Sequence, residues 1–178
     1  ANIYLSRKMY DTVLVMTGEY LSRDTANTVI NPIKGLALYS MKKWNEASDA
    51  FKKSILYGCD KASSYYYIGL CRMNIGDYWA AVNYFLLAQK EDPKLADDPE
   101  FVLNMAYCNG KWRDYSTADS LFDVATNLLQ PDSSIMYNVN YARGEIYYEK
   151  GMGEDSSKKV ATLKKAVKHY KDALRYAP

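Results

Sequence analysis

Histidine is nearly missing from this 178-residue chain. His169 is the only one, which excludes a His-rich metal site and any relay between two imidazoles. The three cysteines, Cys59, Cys71 and Cys108, are odd in number and too few for a disulfide framework. With no CxxC pair and no histidine at ligand spacing, they do not read as zinc ligands, and no other cofactor is expected. An excess of one charge is missing too: Lys+Arg 23 against Asp+Glu 21 leaves a net charge of +2, which argues against a nucleic-acid binder held mainly by phosphate contacts. No apolar run reaches about 18 residues, so no membrane insertion is expected, and no basic-then-apolar signal segment opens the chain. Prolines number only five, and four phenylalanines stand against eighteen tyrosines. What is present, 48% hydrophobic and 25% charged residues, is an ordinary globular composition.

The chain repeats itself. The phrase Tyr78, Ala81, Phe85, Ala88 returns 34 residues earlier as Trp44, Ala47, Phe51, Ser54 and 37 residues later as Tyr115, Ala118, Phe122, Ala125. Another 48 residues on stand Ala166, Tyr170 and Ala173, and a further 34 before Trp44 stands Tyr10, followed by Val13 and Tyr20. A small residue precedes each full phrase, as Gly35, Gly69, Ala106 and Gly144, at spacings of 34, 37 and 38.

Each unit has room for two helices. In the second, Tyr65, Ile68, Gly69 and Arg72 recur at helical spacing, Gly76 stops the helix, and Asp77 is placed to cap the next one. Tyr78, Ala81, Val82, Phe85 and Ala88 then form a stripe that ends before Pro93. Short side chains let two antiparallel helices approach, so Gly69 is expected to face Ala81 and Ala88, with Tyr78 and Phe85 filling the gap to the next pair. One hairpin cannot cover its own apolar face, whereas stacked hairpins cover one another.

This pattern resembles the tetratricopeptide repeat (TPR), with an aromatic residue, a Leu-Gly, a tyrosine, then Ala, Phe and Pro at fixed offsets within 34 residues. The second unit matches with Tyr65, Ile68, Gly69, Gly76, Tyr78, Ala81, Phe85, Ala88 and Pro93, but has Arg72 at the mid-helix tyrosine. The first carries Cys59 where proline is usual, the third has Pro131 one place late, and the fourth keeps Gly144, Tyr147, Ala166, Tyr170, Ala173 and Pro178. Tyr4, Tyr10 and Val13 supply a half unit. The resemblance implies an all-α solenoid of antiparallel helix pairs wound into a right-handed superhelix, about four and a half repeats long. It reads as one array over 1–178: a half repeat 1–27, then repeats 28–61, 62–95, 99–132 and 137–178. The phrase Tyr65-Tyr66-Tyr67-Ile68-Gly69-Leu70 is similar to repeat proteins of Bacteroidetes-type bacteria, many of them exported, which implies a bacterial protein and favours the periplasm over the cytoplasm.

The register breaks most clearly in the last unit. Gly144 to Ala166 spans 22 residues where Gly69 to Ala81 spans 12. The extra ten, placed near 151–160, are expected to lengthen the second helix by two or three turns, with Gly151 and Gly153 at the turn and Asp155 or Ser156 as cap. Val160, Leu163, Val167, Tyr170 and Leu174 are expected to continue one apolar stripe, with lysines on the other faces. Gly151-Met152-Gly153 follows a helix and lacks the Lys-Ser/Thr of a phosphate loop. Asp92, Asp97, Asp98 and Glu100 lack the spacing of a calcium loop, and helix capping accounts for Asp97 or Asp98. Ala1 falls inside a helix and Pro178 closes a unit without a polar cap, so the chain is expected to be a segment of a longer protein.

No nucleophile–base pair is readable, and the chain is expected not to be an enzyme. His169 reads as an exposed surface residue, Cys71 and Cys108 as buried inert thiols, and Cys59 as an exposed loop thiol. Function is therefore expected from shape: a non-enzymatic scaffold that holds a peptide or a protein surface in a tyrosine-rich concave groove. By similarity to the family, the first helices line that groove with Leu36, Tyr39, Tyr66, Leu70, Met73, Asn74, Leu103, Tyr107, Lys111, Tyr141, Glu145 and Tyr148, and with Pro32, Ser40, Ser63 and Glu149 beside them. Tyrosine suits such a groove, with a rigid ring, a hydroxyl and little entropy to lose. The Lys/Asn/Arg clamp of chaperone-binding members is not expected, because its places hold Pro32, Leu36, Tyr67, Glu100 and Asn104, of which only Asn104 fits. Two alternatives stay open: a structural array that forms homo-oligomers through uncapped ends, and a helical repeat that stacks glycans or nucleic-acid bases. The 34-residue period and near-neutral charge disfavour base reading, so no nucleic acid is expected as partner.

Overall fold

The computed structural model describes residues 9–129 and 135–177; Ala1, Tyr4, Pro131 and Pro178 lie outside the described residues. All regular structure among the described residues is helical. The chain forms two compact units, Ala1–Pro93 and Lys94–Pro178, with a 3-10 turn, Pro93–Asp97, at the boundary.

The first unit contains α1 (Tyr10–Arg23), α2 (Ile30–Ser40), α3 (Trp44–Leu56), α4 (Lys61–Asn74) and α5 (Tyr78–Glu91), each packed on the next. The second contains α6 (Pro99–Lys111), α7 (Tyr115–Leu128), α8 (Ile135–Met152) and α9 (Ser156–Leu174). Here α6 packs on α7, α7 on α8 and α8 on α9, and the two first helices α6 and α8 also touch directly.

Aspartates start four of these helices. Asp60, Asp77, Asp98 and Asp114 each accept hydrogen bonds from backbone N–H groups of the first turn, at Ser63, Ala80, Glu100 with Phe101, and Thr117. Such a cap is worth about 1 kcal/mol. It confirms the roles read for Asp77 and Asp98. Asp155 stands at the N-cap of α9, but its side chain makes no capping bond there.

The turn inside each regular pair is one structure used three times. Lys42, Gly76 and Arg113 adopt left-handed φ angles of 60°, 82° and 69°. The following residues Lys43, Asp77 and Asp114 donate backbone N–H groups to the carbonyls of Leu38, Arg72 and Asn109, at 2.9 Å in each case. This ties off orphan carbonyls at the end of the first helix. Only the middle turn uses glycine, the residue that adopts this φ without steric cost.

The helix crossing corrects the expected packing. A Cβ at Gly69 would lie 2.5 Å from Phe85 Cε1, and one at Gly35 would lie 2.8 Å from Phe51 Cε1. The glycine therefore admits the aromatic ring of its own pair rather than facing Ala81 and Ala88, because the ring, not the methyl groups, is the knob at the closest approach. Phe51, Phe85 and Phe122 are fully buried, as are Ala81 and Ala88. Phe51 also stacks on Tyr67 of the next pair, with centroids 5.0 Å apart and planes at 9°. It thereby joins two hairpins into one core with Leu38, Ile68 and Cys71.

The last hairpin lengthens on both sides. Helix α8 ends eight residues after Gly144, where α4 ends five after Gly69. Helix α9 begins fourteen residues before Tyr170, where α5 begins seven before Phe85. The second helix thus gains two turns, while the remaining three extra residues extend the first helix. Gly151 lies in α8 rather than at the turn, because it repeats the crossing two turns on: its Cβ would meet Leu163 Cδ2 at 2.9 Å, as that of Gly144 would meet the Tyr170 ring at 2.9 Å. The expected single apolar stripe of α9 divides. Leu163 and Tyr170 turn partly inward, while Val160, Val167 and Leu174 are 60%, 51% and 71% exposed.

Candidate functional site

In the second unit, α6 and α8 bring Tyr107, Lys111, Glu145 and Glu149 together. Tyr107 and Lys111 are one turn apart on α6, and Glu145 and Glu149 one turn apart on α8, so side-by-side packing interlocks both pairs. Lys111 Nζ donates to Glu145 Oε1 at 2.8 Å and also binds Glu149. The ammonium sits 5.4 Å from the centre of the Tyr107 ring, and the Tyr107 hydroxyl donates to Glu145 Oε1 at 3.4 Å. Burial pulls the Lys111 pKa down, but the hydrogen bonds that its ammonium donates to the two carboxylates more than offset it and the value ends above the ordinary lysine range. Lysine is thus fixed as a cation between two carboxylates, leaving one net negative charge.

Tyrosines surround the cluster. Tyr141 stacks on Tyr137 at 5.9 Å and meets Tyr170 at 5.7 Å. Tyr141 and Tyr148 are 48% and 49% exposed, so both offer rings to a ligand. Burial and the neighbouring Glu145 raise the pKa of the Tyr170 hydroxyl, which therefore stays protonated. Of the residues expected to line a groove, Tyr107, Lys111, Tyr141, Glu145 and Tyr148 carry the polar, partly open surface of this unit. Leu103 does not: it is 8% exposed and belongs to the core.

In the first unit the expected lining is less open. Leu70 is 8% exposed and is a core residue, a correction to its expected place. Leu36 and Tyr39 are half-buried against the core cluster. Tyr39 packs edge-on to Trp44 and Tyr67, at 5.0 and 5.6 Å, and Tyr66 lies 5.8 Å from both Tyr67 and Phe85. Tyr39 thereby joins its hairpin to the next, while Tyr66 packs within its own. Met73 is half-buried, and Asn74 is exposed but returns its amide to the Leu70 carbonyl at 2.8 Å.

A second polar cluster was not foreseen. Arg143 of α8 donates to Asp119 at 3.0 Å and to Asp123 at 2.8 Å, both on α7. The Tyr147 hydroxyl donates to the other oxygen of Asp119 at 2.5 Å. Burial and this hydrogen bond push the Tyr147 pKa up to about 12. Its signal was present as two pairs at i,i+4, Asp119/Asp123 and Arg143/Tyr147, but the repeat does not say which faces meet.

His169 overturns its expected exposure. It is half-buried, and its ring lies parallel to that of Tyr147, with centroids 5.4 Å apart and planes at 8°. Nδ1 is buried and finds no hydrogen-bond partner among the described residues. Burial, then the charge of Arg143, lowers its pKa below 6.5. Cys71 and Cys108 are buried, and desolvation pushes both thiols up to about 12. Cys59 is half-buried and donates its thiol to the Thr28 carbonyl at 3.1 Å. No group of three or more His, Cys, Asp or Glu residues is placed to hold a metal ion among the described residues. No described helix is long and apolar enough to cross a membrane.

Helix pairs with a small residue under an aromatic knob, joined by a left-handed turn, define an all-α helical repeat; its fold is that of tetratricopeptide repeat proteins. The solved structure of MamA is similar over 96% of this chain and 90% of its own, with a TM-score of 0.72 and 18% identity. YrrB, described as a TPR protein with an unusual peptide-binding site, is similar over 98% of this chain and 86% of its own, at 0.71 and 20%. A TPR-repeat protein from Bacteroides fragilis is similar over 98% and 84%, at 0.51 and 18%. No protein-family model and no curated protein matches the chain in sequence.

Proposed function

We propose that the chain is a non-enzymatic interaction scaffold that binds a peptide or a segment of a partner protein on the faces of its first helices. The observation that carries this reading is the α6/α8 surface, where half-exposed Tyr141 and Tyr148 flank the Tyr107–Lys111–Glu145–Glu149 cluster. Rigid rings supply contact area at low entropic cost, and the fixed carboxylates supply orientation. The buried thiols and the neutral, stacked imidazole are placed for packing, not for nucleophilic work. Likeness in fold to a protein described by its peptide-binding site adds support.

The test is selection of peptides from a random library on the purified chain, followed by titration of a selected peptide against 15N-labelled protein. Shifts are expected at Tyr107, Tyr141, Glu145 and Tyr148, and Tyr148→Ala is expected to weaken binding about tenfold, the scale of losing one well-buried aromatic contact. Shifts confined to surfaces away from α6 and α8, or undiminished binding by Tyr148→Ala with Tyr141→Ala, would refute the reading.

A further inference from the structure

In the first unit a cleft of about 560 Å³ opens between α1 and α3, where both pack on α2. Its volume is that of a small-ligand site. The repeat gives this cleft two sisters, one between α3 and α5 beside α4, the other between α7 and α9 beside α8. Each is built by three successive helices, and all three are present here, so side chains and not a missing helix set the opening.

The sisters are filled from within. In one, the Tyr84 ring of α5 lies 6.3 Å from Tyr65 of α4, and Arg72 of α4 reaches Ser48 of α3 at 3.4 Å. In the other, His169 of α9 stacks on Tyr147 of α8 at 5.4 Å, and Arg143 of α8 holds Asp119 and Asp123 of α7. The repeat register puts Ala50 of α3 where Tyr84 and His169 stand, and Asn31 and Leu38 of α2 where Tyr65 and Tyr147 stand. Asn31 turns its amide away to the carbonyls of Thr25 and Asn27, at 3.1 and 2.9 Å. The cleft thus lacks the two rings that close its sisters.

A charge is left over as well. Lys34 of α2 stands in the register of Arg143, but on α1 the places of Asp119 and Asp123 hold Leu14 and Gly18. Lys34 lines the cleft, is half-buried, and makes no ion pair among the described residues. On the α3 rim Asp49 pairs with Lys52 at 3.1 Å, and the exposed Glu46 and Lys53 offset one another in charge. Lys34 is therefore the unmatched charge of the cleft, beside a wall of Leu21, Leu38 and Ala50.

We propose that this cleft binds a small aromatic carboxylate. The ring would take the place that Tyr84 and His169 fill in the sister clefts, against Leu21, Leu38 and Ala50. The carboxylate would take, on Lys34, the place that Asp119 and Asp123 take on Arg143, as a charge-assisted hydrogen bond. The site shares no residue with the α6/α8 surface and does not rest on the peptide-binding reading.

The probe is 4-hydroxyphenylacetate, titrated into the 15N-labelled chain and followed by amide shifts. 4-Hydroxyphenylacetamide removes its charge, tyramine reverses it, and hexanoate removes the ring. Shifts are expected at Gly18, Lys34, Ala50 and Tyr57, with each of the three controls binding about tenfold more weakly, the scale of one charge-assisted bond or one ring contact. Lys34→Gln is expected to abolish the preference for the acid over the amide. Gly18→Asp, which returns a carboxylate to α1 opposite Lys34, is expected to weaken the acid about tenfold. A Cβ at Gly18 meets nothing within 4 Å, so the fold is expected to be kept, with far-UV circular dichroism unchanged. The proposal is overturned by any of these results: no shifts at the cleft, equal binding of acid and amide, binding of tyramine or hexanoate as tight as that of the acid, or undiminished binding of the acid by Gly18→Asp.

Discussion

At Gly69 the room for a side chain is already occupied. A Cβ would sit 2.5 and 2.6 Å from two carbons of the Phe85 ring, and Phe85 is fully buried, so it cannot swing into solvent. Gly69→Ala is therefore expected to destabilise by about 1–3 kcal/mol, the scale of overpacking. Gly18→Ala, where nothing lies within 4 Å, is expected to stabilise by about 0.5–1 kcal/mol through lower backbone entropy in the unfolded chain. Urea denaturation of both variants separates packing from helix propensity. The third pair carries Ala106 at this register, so the repeat tolerates a methyl group when its own ring is set for it. His169 sets a pH dependence at the same scale. Its folded pKa lies below 6.5, so on acidification the unfolded chain takes up a proton before the folded chain does. Its contribution to stability is complete above pH 6.5 and is lost as pH falls below it. His169→Gln is expected to flatten the stability profile below pH 6.5; an unchanged slope there would remove this role. The thiols give a third test: Cys59 is expected to react with an aromatic disulfide reagent in the native protein, and Cys71 and Cys108, held up at about 12 by burial, only on unfolding.

Among elements, the turn is the unit that repeats most faithfully. Lys42 and Arg113 hold the left-handed conformation that Gly76 holds, with the same backbone hydrogen bonds. An L side chain there costs about 1–2 kcal/mol, partly offset by the entropy glycine would lose on folding. Lys42→Gly and Arg113→Gly are each expected to raise stability by about 0.5 kcal/mol, read as a higher urea midpoint at unchanged m-value. Sequence legibility follows the same division. Helix ends were readable because aspartate caps and left-handed turns act within five residues, as at Asp77 and Gly76. The repeat register was readable because one hairpin is copied along the chain. The partner of Gly69 was misread because offsets alone do not tell which atoms meet at a helix crossing. The Arg143–Asp119–Asp123–Tyr147 cluster was missed for a related reason: it departs from the repeat, so no sister unit announces it. His169 looked exposed because it falls outside the expected apolar stripe of a lysine-rich helix, whereas its ring lies on the side that meets Tyr147.

For the whole molecule, the arrangement of contacts sets how far a perturbation travels. In the first unit each helix packs on its sequence neighbours, and Phe51 and Tyr67 are one link between successive pairs. In the second unit α8 touches α6, α7 and α9, with the Arg143 cluster at the α7–α8 contact. Stability in such an array is a sum of hairpin terms and nearest-neighbour terms, not one all-or-none core. Gly69→Ala strains the α4/α5 crossing and, through Tyr67, the α3 contact beside it. Amide hydrogen exchange followed by mass spectrometry is therefore expected to show faster exchange in α3, α4 and α5, with α8 and α9 unchanged. Asp119→Asn, which weakens the hold on Arg143 and Tyr147, is expected to give the reverse pattern: faster exchange in α7 and α8, with α2 and α3 unchanged. Uniform acceleration across all the described helices by either substitution would mean that the two compact units open together, and the nearest-neighbour description would fail.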